Sequence, residues 1–357
     1  MKGRIVSLVR KCGLGLGVAL GVLVIAELGL WAMGAEPAIN EVVDPATCYY
    51  GWGPHSEHRW EKPGTPLWEQ LVTDGQGFRV SAVAPPMAAE ASGCTVLALG
   101  DSFTQGAWVR AEEAWPAQLE ASLALAQRPC QVRNGGVVGQ TIPHALYAAR
   151  YRWRAVEAQT VVFATSANDL RDLVAMRAQG CGLDPLQRPS TGATLRQLLP
   201  PALAWSRLAG ALQQGSFHAI AFITQRDSPQ PSRAACDGAM ETYLDHAEAL
   251  ARWTRGEGQH LLIAVLETPG CGDRLYPNFP QQLAARTTGL GAQVIEFRDL
   301  ELEGARLGPY DGHPSPAGHQ AIAEEIGQAL CSAGALGECE VEATAALPRP
   351  AAAAPSP

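Results

Sequence analysis

Beyond residue 93 the chain alternates short apolar runs with longer amphipathic stretches. Aliphatic and β-branched residues fill 94–100, 130–134, 159–165, 260–266 and 292–297, a pattern that predicts buried strands. Between and after them, 113–127, 143–157, 240–256, 279–288 and 316–330 read as helices. Pro143 and Pro316 suit a helix's first turn, where a missing N–H costs nothing. Strands and helices in alternation imply a parallel sheet with helices on both faces. No internal repeat is visible.

The flanking regions break this rhythm. Residues 35–90 are rich in Pro, Gly and Trp, as in Tyr49-Tyr50-Gly51-Trp52-Gly53-Pro54, and show little periodicity. They predict an irregular extension packed on the main domain, 91–335, and overhanging its site. The stretch 173–236 sets Pro185, Pro189, Pro200, Pro201, Pro229 and Pro231 around an apolar helical segment near 202–224. An insertion of that size commonly builds a lid or substrate wall, with plain structural elaboration as the alternative. The Ala/Pro-rich end, 336–357, is expected to be disordered.

The first 34 residues carry an address. Lys2, Arg4, Arg10 and Lys11 precede an apolar span from Cys12 to Gly34 whose one ionisable residue is Glu27. No basic residue follows before Arg59. That asymmetry predicts a cytoplasmic N-terminus and an exported body, facing the periplasm or exterior. Counted through Trp31 the span is long enough for a transmembrane anchor. The alternative is a signal segment cleaved near Ala32-Met33-Gly34, which would leave a secreted protein.

Nine cysteines fit export. With Cys12 set aside, Cys48, Cys94, Cys130, Cys181, Cys236, Cys271, Cys331 and Cys339 form an even set. Cys94 and Cys130 each open a predicted strand, so parallel neighbours would pair them. Cys331 and Cys339 would close a short C-terminal loop. No Cys-x-x-Cys spacing calls for a metal, and nothing calls for a cofactor. A net charge of −8 without an aromatic/basic stripe argues against nucleic acid as a partner.

Chemistry concentrates in four blocks at predicted strand ends. Gly100-Asp101-Ser102-Phe103-Thr104-Gln105-Gly106 follows the first core strand and presents a serine at the rim where open sheets bind ligands. Asn134-Gly-Gly-Val-Val-Gly139 offers glycine backbone N–H groups that no side chain obstructs. Thr165-Ser166-Ala167-Asn168-Asp169 sets a neutral amide donor after the third strand. Tyr310-Asp311-Gly312-His313-Pro314 sets a carboxylate and an imidazole before the last helix. A serine hydroxyl becomes a nucleophile only with a base to take its proton and donors to face the oxyanion.

In order and placement these blocks resemble the SGNH/GDSL hydrolase family, in its exported bacterial form, over roughly 91–335. The resemblance implies a three-layer α/β/α flavodoxin-like fold with a parallel sheet of about five strands, preceded here by the N-terminal transmembrane or signal helix. It implies Ser102 as nucleophile, His313 as general base and Asp311 as the residue that orients it. The oxyanion hole would combine the backbone N–H of Ser102, that of Gly139 and the side-chain amide of Asn168. Two departures stand out: Asp311-x-His313 replaces the family's Asp-x-x-His, and Ser166 replaces the glycine two residues before the asparagine.

The remaining polar residues have plainer readings. Asp101, Asn134 and Asp169 suit turn stabilisation. His319, the rival base, suits packing in a helix's first turn, and His55 and His58 suit a surface. The implied activity is ester hydrolysis through an acyl-enzyme, on an O-acyl (acetyl) group of an envelope or extracellular carbohydrate. An O-acyltransferase using the same acyl-enzyme, or a non-catalytic envelope binding protein, are the alternatives. The pattern is silent on oligomeric state.

Overall fold

A computed structural model describes residues 2–33, 41–44, 47–81, 94–126, 129–181, 196–197, 206–208, 230–297 and 304–336. Helix α1 (Lys2–Ala32) leads into β1 (Glu41–Asp44), β2 (Tyr49–Trp52), β3 (Glu57–Glu61) and β4 (Trp68–Val72). The first half of the core follows as β5 (Thr95–Gly100), α2 (Ser102–Gln105), α3 (Trp115–Leu125), β6 (Gln131–Asn134), α4 (Ile142–Tyr147), β7 (Thr160–Thr165) and α5 (Asp169–Ala178). After β8 (Arg196–Gln197) come α6 (Arg233–Gly256), β9 (His260–Val265), β10 (Gly270–Cys271) and β11 (Arg274–Leu275). Then α7 (Phe279–Thr287), β12 (Ala292–Glu296) and α8 (Pro316–Ser332) close the described chain.

Five parallel strands form the central sheet in the order β12-β9-β7-β5-β6. Counted within the sheet this is the flavodoxin-like order 2-1-3-4-5, whose switch point lies between β5 and β7. Alternate residues of each strand face opposite helical layers, as a two-residue period requires. Leu97, Leu99, Val161, Phe163, Leu261 and Ile263 pack with α4, α5, α6 and α7. Val96, Ala98, Val162, Ala164, Leu262 and Ala264 pack with α3 and α8. The fold is therefore α/β/α in three layers, and the five strands lie within about a residue of the expected runs.

The helices depart more. Ser232 caps α6, its Oγ accepting from Ala235 N at 3.2 Å, so the helix starts well before residue 240. The expected helix over 143–157 stops at Tyr147 and continues as a wider turn, Ala148–Arg152. There the Arg152 guanidinium leaves the helix face to donate to Tyr49 Oη at 2.8 Å and to the Trp52 carbonyl. Helix α5 was not anticipated, and it spans the expected start of the 173–236 insertion. Most of that insertion, including most of 202–224, and the tail from 337 lie outside the described residues.

The extension is more ordered than its composition suggests. Strand β1 pairs antiparallel with both β2 and β8, and β3 pairs with β4 in a hairpin. Its aromatic residues supply the packing that short strands need: Tyr49 stacks on Tyr147 at 4.5 Å, and His58, buried rather than on the surface, meets Trp60 edge-on at 4.4 Å. Disulfides Cys48–Cys181, Cys94–Cys130 and Cys236–Cys271 are formed. Cys94–Cys130 joins β5 to β6 as expected. Cys331 is also disulfide-bonded, and Cys339 lies outside the described residues. Side chains of α1 are described from Gly17 onward, and among the described residues no helix is long and apolar enough to cross a membrane.

Arg79 welds the extension to the core. Its side chain is fully buried, with Nη1 donating to the carbonyls of Gln105 (2.5 Å) and Gly106 (2.7 Å) and Nη2 to those of Gln70 (3.1 Å) and Val109 (2.8 Å). Glu69 supplies the countercharge at 3.8 Å. Removing one partner of such a group leaves buried carbonyls and a carboxylate uncompensated. Arg79→Met should lower the unfolding free energy by about 3–5 kcal/mol, measured by urea denaturation. A loss below about 1 kcal/mol would contradict this role for the guanidinium.

Candidate active site

The switch point places the serine. Strand β5 ends at Gly100, whose φ of +150° lies outside the range of ordinary side chains. A Cβ there would collide with Thr104 Oγ1 and sit 2.6 Å from the Ala164 carbonyl. The chain turns through Asp101, whose carboxylate accepts from Phe103 N at 2.9 Å, and Ser102 opens α2. That turn delivers Ser102 to the C-terminal rim between β5 and β7.

His313, the expected base, arrives on the loop after β12, 211 residues away. Ser102 Oγ lies 2.8 Å from His313 Nε2. On the other side of the ring His313 Nδ1 bonds Asp311 Oδ1, and the His313 backbone N–H donates to the same oxygen at 2.9 Å. With Nδ1–H given to Asp311, Nε2 is left to accept the serine proton. Burial raises the Asp311 carboxyl, but donors from Lys62 and from the His313 backbone and ring outweigh it and hold the pKa at about 2. Asp311 is thus ionised wherever the enzyme would work, and the shorter Asp-x-His spacing still closes the contact.

The base loop is itself braced. Leu307 N donates to the His313 carbonyl at 3.0 Å and Ser315 N to the Ala305 carbonyl at 2.8 Å. Arg306 donates to the Gly312 carbonyl at 2.5 Å and pairs with Glu267. Glu267 in turn accepts from Ala167 N at 3.3 Å, tying the base loop to the asparagine loop. His319, the rival base, is fully buried with Nδ1 accepting from Trp115 N at 3.3 Å, and burial drives its pKa down to about 3. It packs α8 against α3.

The expected oxyanion donors sit on loops pinned to the serine turn. Gly139 has φ +75°, and a Cβ there would lie 2.8 Å from Tyr50 Oη. Its neighbour Val138 donates from N to Gln105 Oε1 at 3.1 Å and accepts from Tyr50 Oη at 2.7 Å. Gln105 also takes Trp52 Nε1 at 3.1 Å and donates to Glu69 at 2.5 Å, so one side chain of α2 fixes both the glycine loop and the extension. Asn134 stabilises its own turn, accepting from Gly136 N at 3.0 Å.

Ser166, the departure from the family's glycine, joins Asp101 to Asn168. Its Oγ lies 2.5 Å from Asp101 Oδ2 and 2.6 Å from Asn168 Oδ1. Asn168 then donates from Nδ2 to Asp172 Oδ2 at 2.5 Å. The Ser166 hydroxyl donates to the Asp101 carboxylate with Asn168 Oδ1 within reach of the same proton, and a single hydroxyl proton serves one of these acceptors at a time. Burial, outweighing the bonds from Ser166 and Phe103, pushes the Asp101 carboxyl up to about 6. Asp169 organises the same loop through Thr165 Oγ1 (2.9 Å) and Tyr243 Oη (3.1 Å), and burial with Asp101 nearby raises it too.

No curated protein matches the chain. The GDSL-like lipase/acylhydrolase family matches residues 98–321, well over half of it, and the match takes in all four blocks. The chain belongs to that family. It is an ester-hydrolysing enzyme. Among solved structures it is similar to a putative lipolytic protein of the G-D-S-L family from Desulfitobacterium hafniense DCB-2, at 16% identity, covering 66% of this chain and 99% of that one with a TM-score of 0.37. It is also similar to the psychrotrophic esterase EstA from Pseudoalteromonas sp. (14%, 67% and 97%, TM-score 0.39). A third is a catalytic mutant of Axe2, an acetylxylan esterase from Geobacillus stearothermophilus (13%, 68% and 95%, TM-score 0.40).

Sequence reasoning missed several residues that shape the GDSL site. Gln105 was visible within its block, but its role as a bridge was not. Lys62, Glu69 and Glu267 lie in segments with no chemical motif and meet the site only through the fold. A groove of about 440 Å³ lined by Arg255, His260, Thr288 and Gly291 opens at the N-terminal ends of β9 and β12, on the sheet end opposite the serine.

The raised Asp101 pKa has a stability consequence with a definite sign. A carboxyl whose folded pKa exceeds its unfolded value favours the folded state most when protonated, so its contribution fades as pH rises from about 4 to about 6. Asp101→Asn removes that titration. Urea unfolding at pH 4 and pH 7 should show the variant gaining stability relative to wild type at the higher pH. An unchanged difference would place Asp101 as an ordinary carboxylate.

Proposed function

We propose that this enzyme is a membrane-anchored, outward-facing serine esterase that removes O-acyl groups, acetyl above all, from an envelope or extracellular carbohydrate. The observation that carries the chemistry is the line from Ser102 Oγ through His313 to Asp311. In the first step Ser102 Oγ attacks the ester carbonyl and its proton passes to His313 Nε2. Asp311 stabilises the imidazolium, and the oxyanion faces the backbone N–H groups of Ser102 and Gly139 and the Asn168 amide. The carbonyl re-forms, the C–O bond to the alcohol breaks, and His313 returns the proton to the leaving oxygen. Water then attacks the acyl-serine, giving its proton to His313; the acid departs and Ser102 recovers its hydrogen.

The address rests on the basic residues before the apolar span and on the disulfides of the body. Val18, Leu20, Val22, Leu23, Val24, Ile25 and Leu28 are all exposed around α1, an apolar surface that a bilayer would cover. For a sugar ring, the supporting features are the partly exposed aromatic faces beside the base loop. Tyr310 precedes Asp311 and is exposed, and the Trp108 ring lies 5.9 Å from Lys62 Nζ. If a sugar hydroxyl replaced water as second acceptor, the same acyl-enzyme would transfer rather than hydrolyse.

The test uses full-length protein with a fluorophosphonate serine probe and acetylated sugars as substrates. Wild type should label and release acetate, and Ser102→Ala should do neither. Asn168→Ala should keep the fold and lower kcat about a hundredfold or more. Absence of labelling and turnover in wild type would overturn the esterase reading. Acetyl appearing on an added sugar instead of in water would assign a transferase.

A further inference from the structure

The N-terminal extension sends one cation into the triad. Lys62 Nζ donates to Asp311 Oδ2 and, at 2.8 Å, to the Tyr310 carbonyl, across 249 and 248 residues of chain. We propose that Lys62 is a positioning residue of the hydrolytic site, clamping Asp311 onto His313 so that the extension completes the catalytic machinery. This rests on the reading of Ser102, His313 and Asp311 as the triad.

The division of labour on Asp311 is the first reason. One oxygen, Oδ1, takes both the backbone N–H and the ring Nδ1 of His313, because the two residues are only two apart. The second oxygen is left to an outside partner, and Lys62 supplies it. A carboxylate held at one oxygen can swing about χ2; one held at both cannot. Each swing would tilt the imidazole away from Ser102.

Lys62 is placed by built structure. The turn joining β3 to β4 is closed by Lys62 N donating to the Leu67 carbonyl (2.9 Å) and by Thr65 N and Oγ1 donating to the Lys62 carbonyl (3.1 and 2.9 Å). The hairpin is seated through Leu71 and Trp60, which pack with Trp52 and Val137, and through Glu69, which accepts from Gln105. The Asp311 side chain is 10% exposed and that of Lys62 31%, so the pair is shielded more than a surface ion pair of negligible worth.

Charge gives the second reason. His313 is faced by Asp311 on its own loop and by Asp101 from the serine turn, and Lys62 from the hairpin sits on the far oxygen of Asp311. Arg306 is engaged with Gly312 and Glu267, and His319 is a further neighbour from α8. Lys62 offsets the Asp311 charge felt by the imidazole. Removing it leaves that charge unbalanced and favours the imidazolium.

Lys62→Met keeps the stem and removes the charge and donors, whereas Lys62→Arg keeps both. In full-length protein with p-nitrophenyl acetate, K62M should lower kcat/KM about tenfold or more, mostly in kcat. The acid limb of its pH profile should rise by about half a unit or more, the effect of one charge a few ångströms away in a partly shielded setting. The His313 imidazole titration followed by NMR should move the same way, and K62R should restore rate and limb. K62M within about twofold of wild type, or slower with an unmoved limb and an unmoved titration, overturns the proposal. Should K62M fail to fold, Lys62→Gln replaces it, and loss of fold in both also overturns a positioning role separable from structure. An inactive wild type would sink the triad reading instead, while the His313 titration would still report on Lys62.

Discussion

The 2.8 Å contact between Ser102 Oγ and His313 Nε2 is the interaction on which the rest of the molecule converges. It joins residues 211 apart, and neither can reach the other without the sheet. The parallel order puts the serine turn at the switch point, the glycine-only backbone at Gly100 aims it, and the brace of Arg306, Glu267 and Ala167 fixes the opposing loop. A hydroxyl is a poor nucleophile, so the value of this geometry lies in having the acceptor in place before substrate arrives.

Electrostatics sort the carboxylates around that contact. Asp311, fed by donors, is held ionised at about 2, while buried Asp101 sits near 6. Similar acids in different surroundings therefore hold different partners: Asp311 takes the backbone and ring of His313, while Asp101 accepts from the Ser166 hydroxyl that also reaches Asn168. The serine that replaces a family glycine is thus integrated into the site rather than obstructing it. Arg79 and Gln105 extend the same economy of polar groups into the extension, each satisfying several partners at the end of α2.

Local pattern made much of this legible. The five strands announce themselves as apolar runs, and Ser102 and His313 stand at strand or loop ends where short motifs mark them. The Cys94–Cys130 bond followed from two strand starts lying side by side. What escaped was whatever depends on distant segments meeting. Cys48 and Cys181 are 133 residues apart, and Lys62 and Asp311 are 249 apart, with no periodicity to link them. The extension looked irregular because its strands are only four or five residues long and held by aromatic packing. Helix 143–157 broke where Arg152 found partners in that extension.

Covalent chemistry at Ser102 is the central claim, and rapid quenching tests it most directly. Full-length protein mixed with p-nitrophenyl acetate and quenched in acid should release a burst of nitrophenol equal to the enzyme present. Peptide mapping should then find acetyl on the peptide carrying Ser102. Turnover without that acyl-peptide, or acetyl on another residue, would contradict the account.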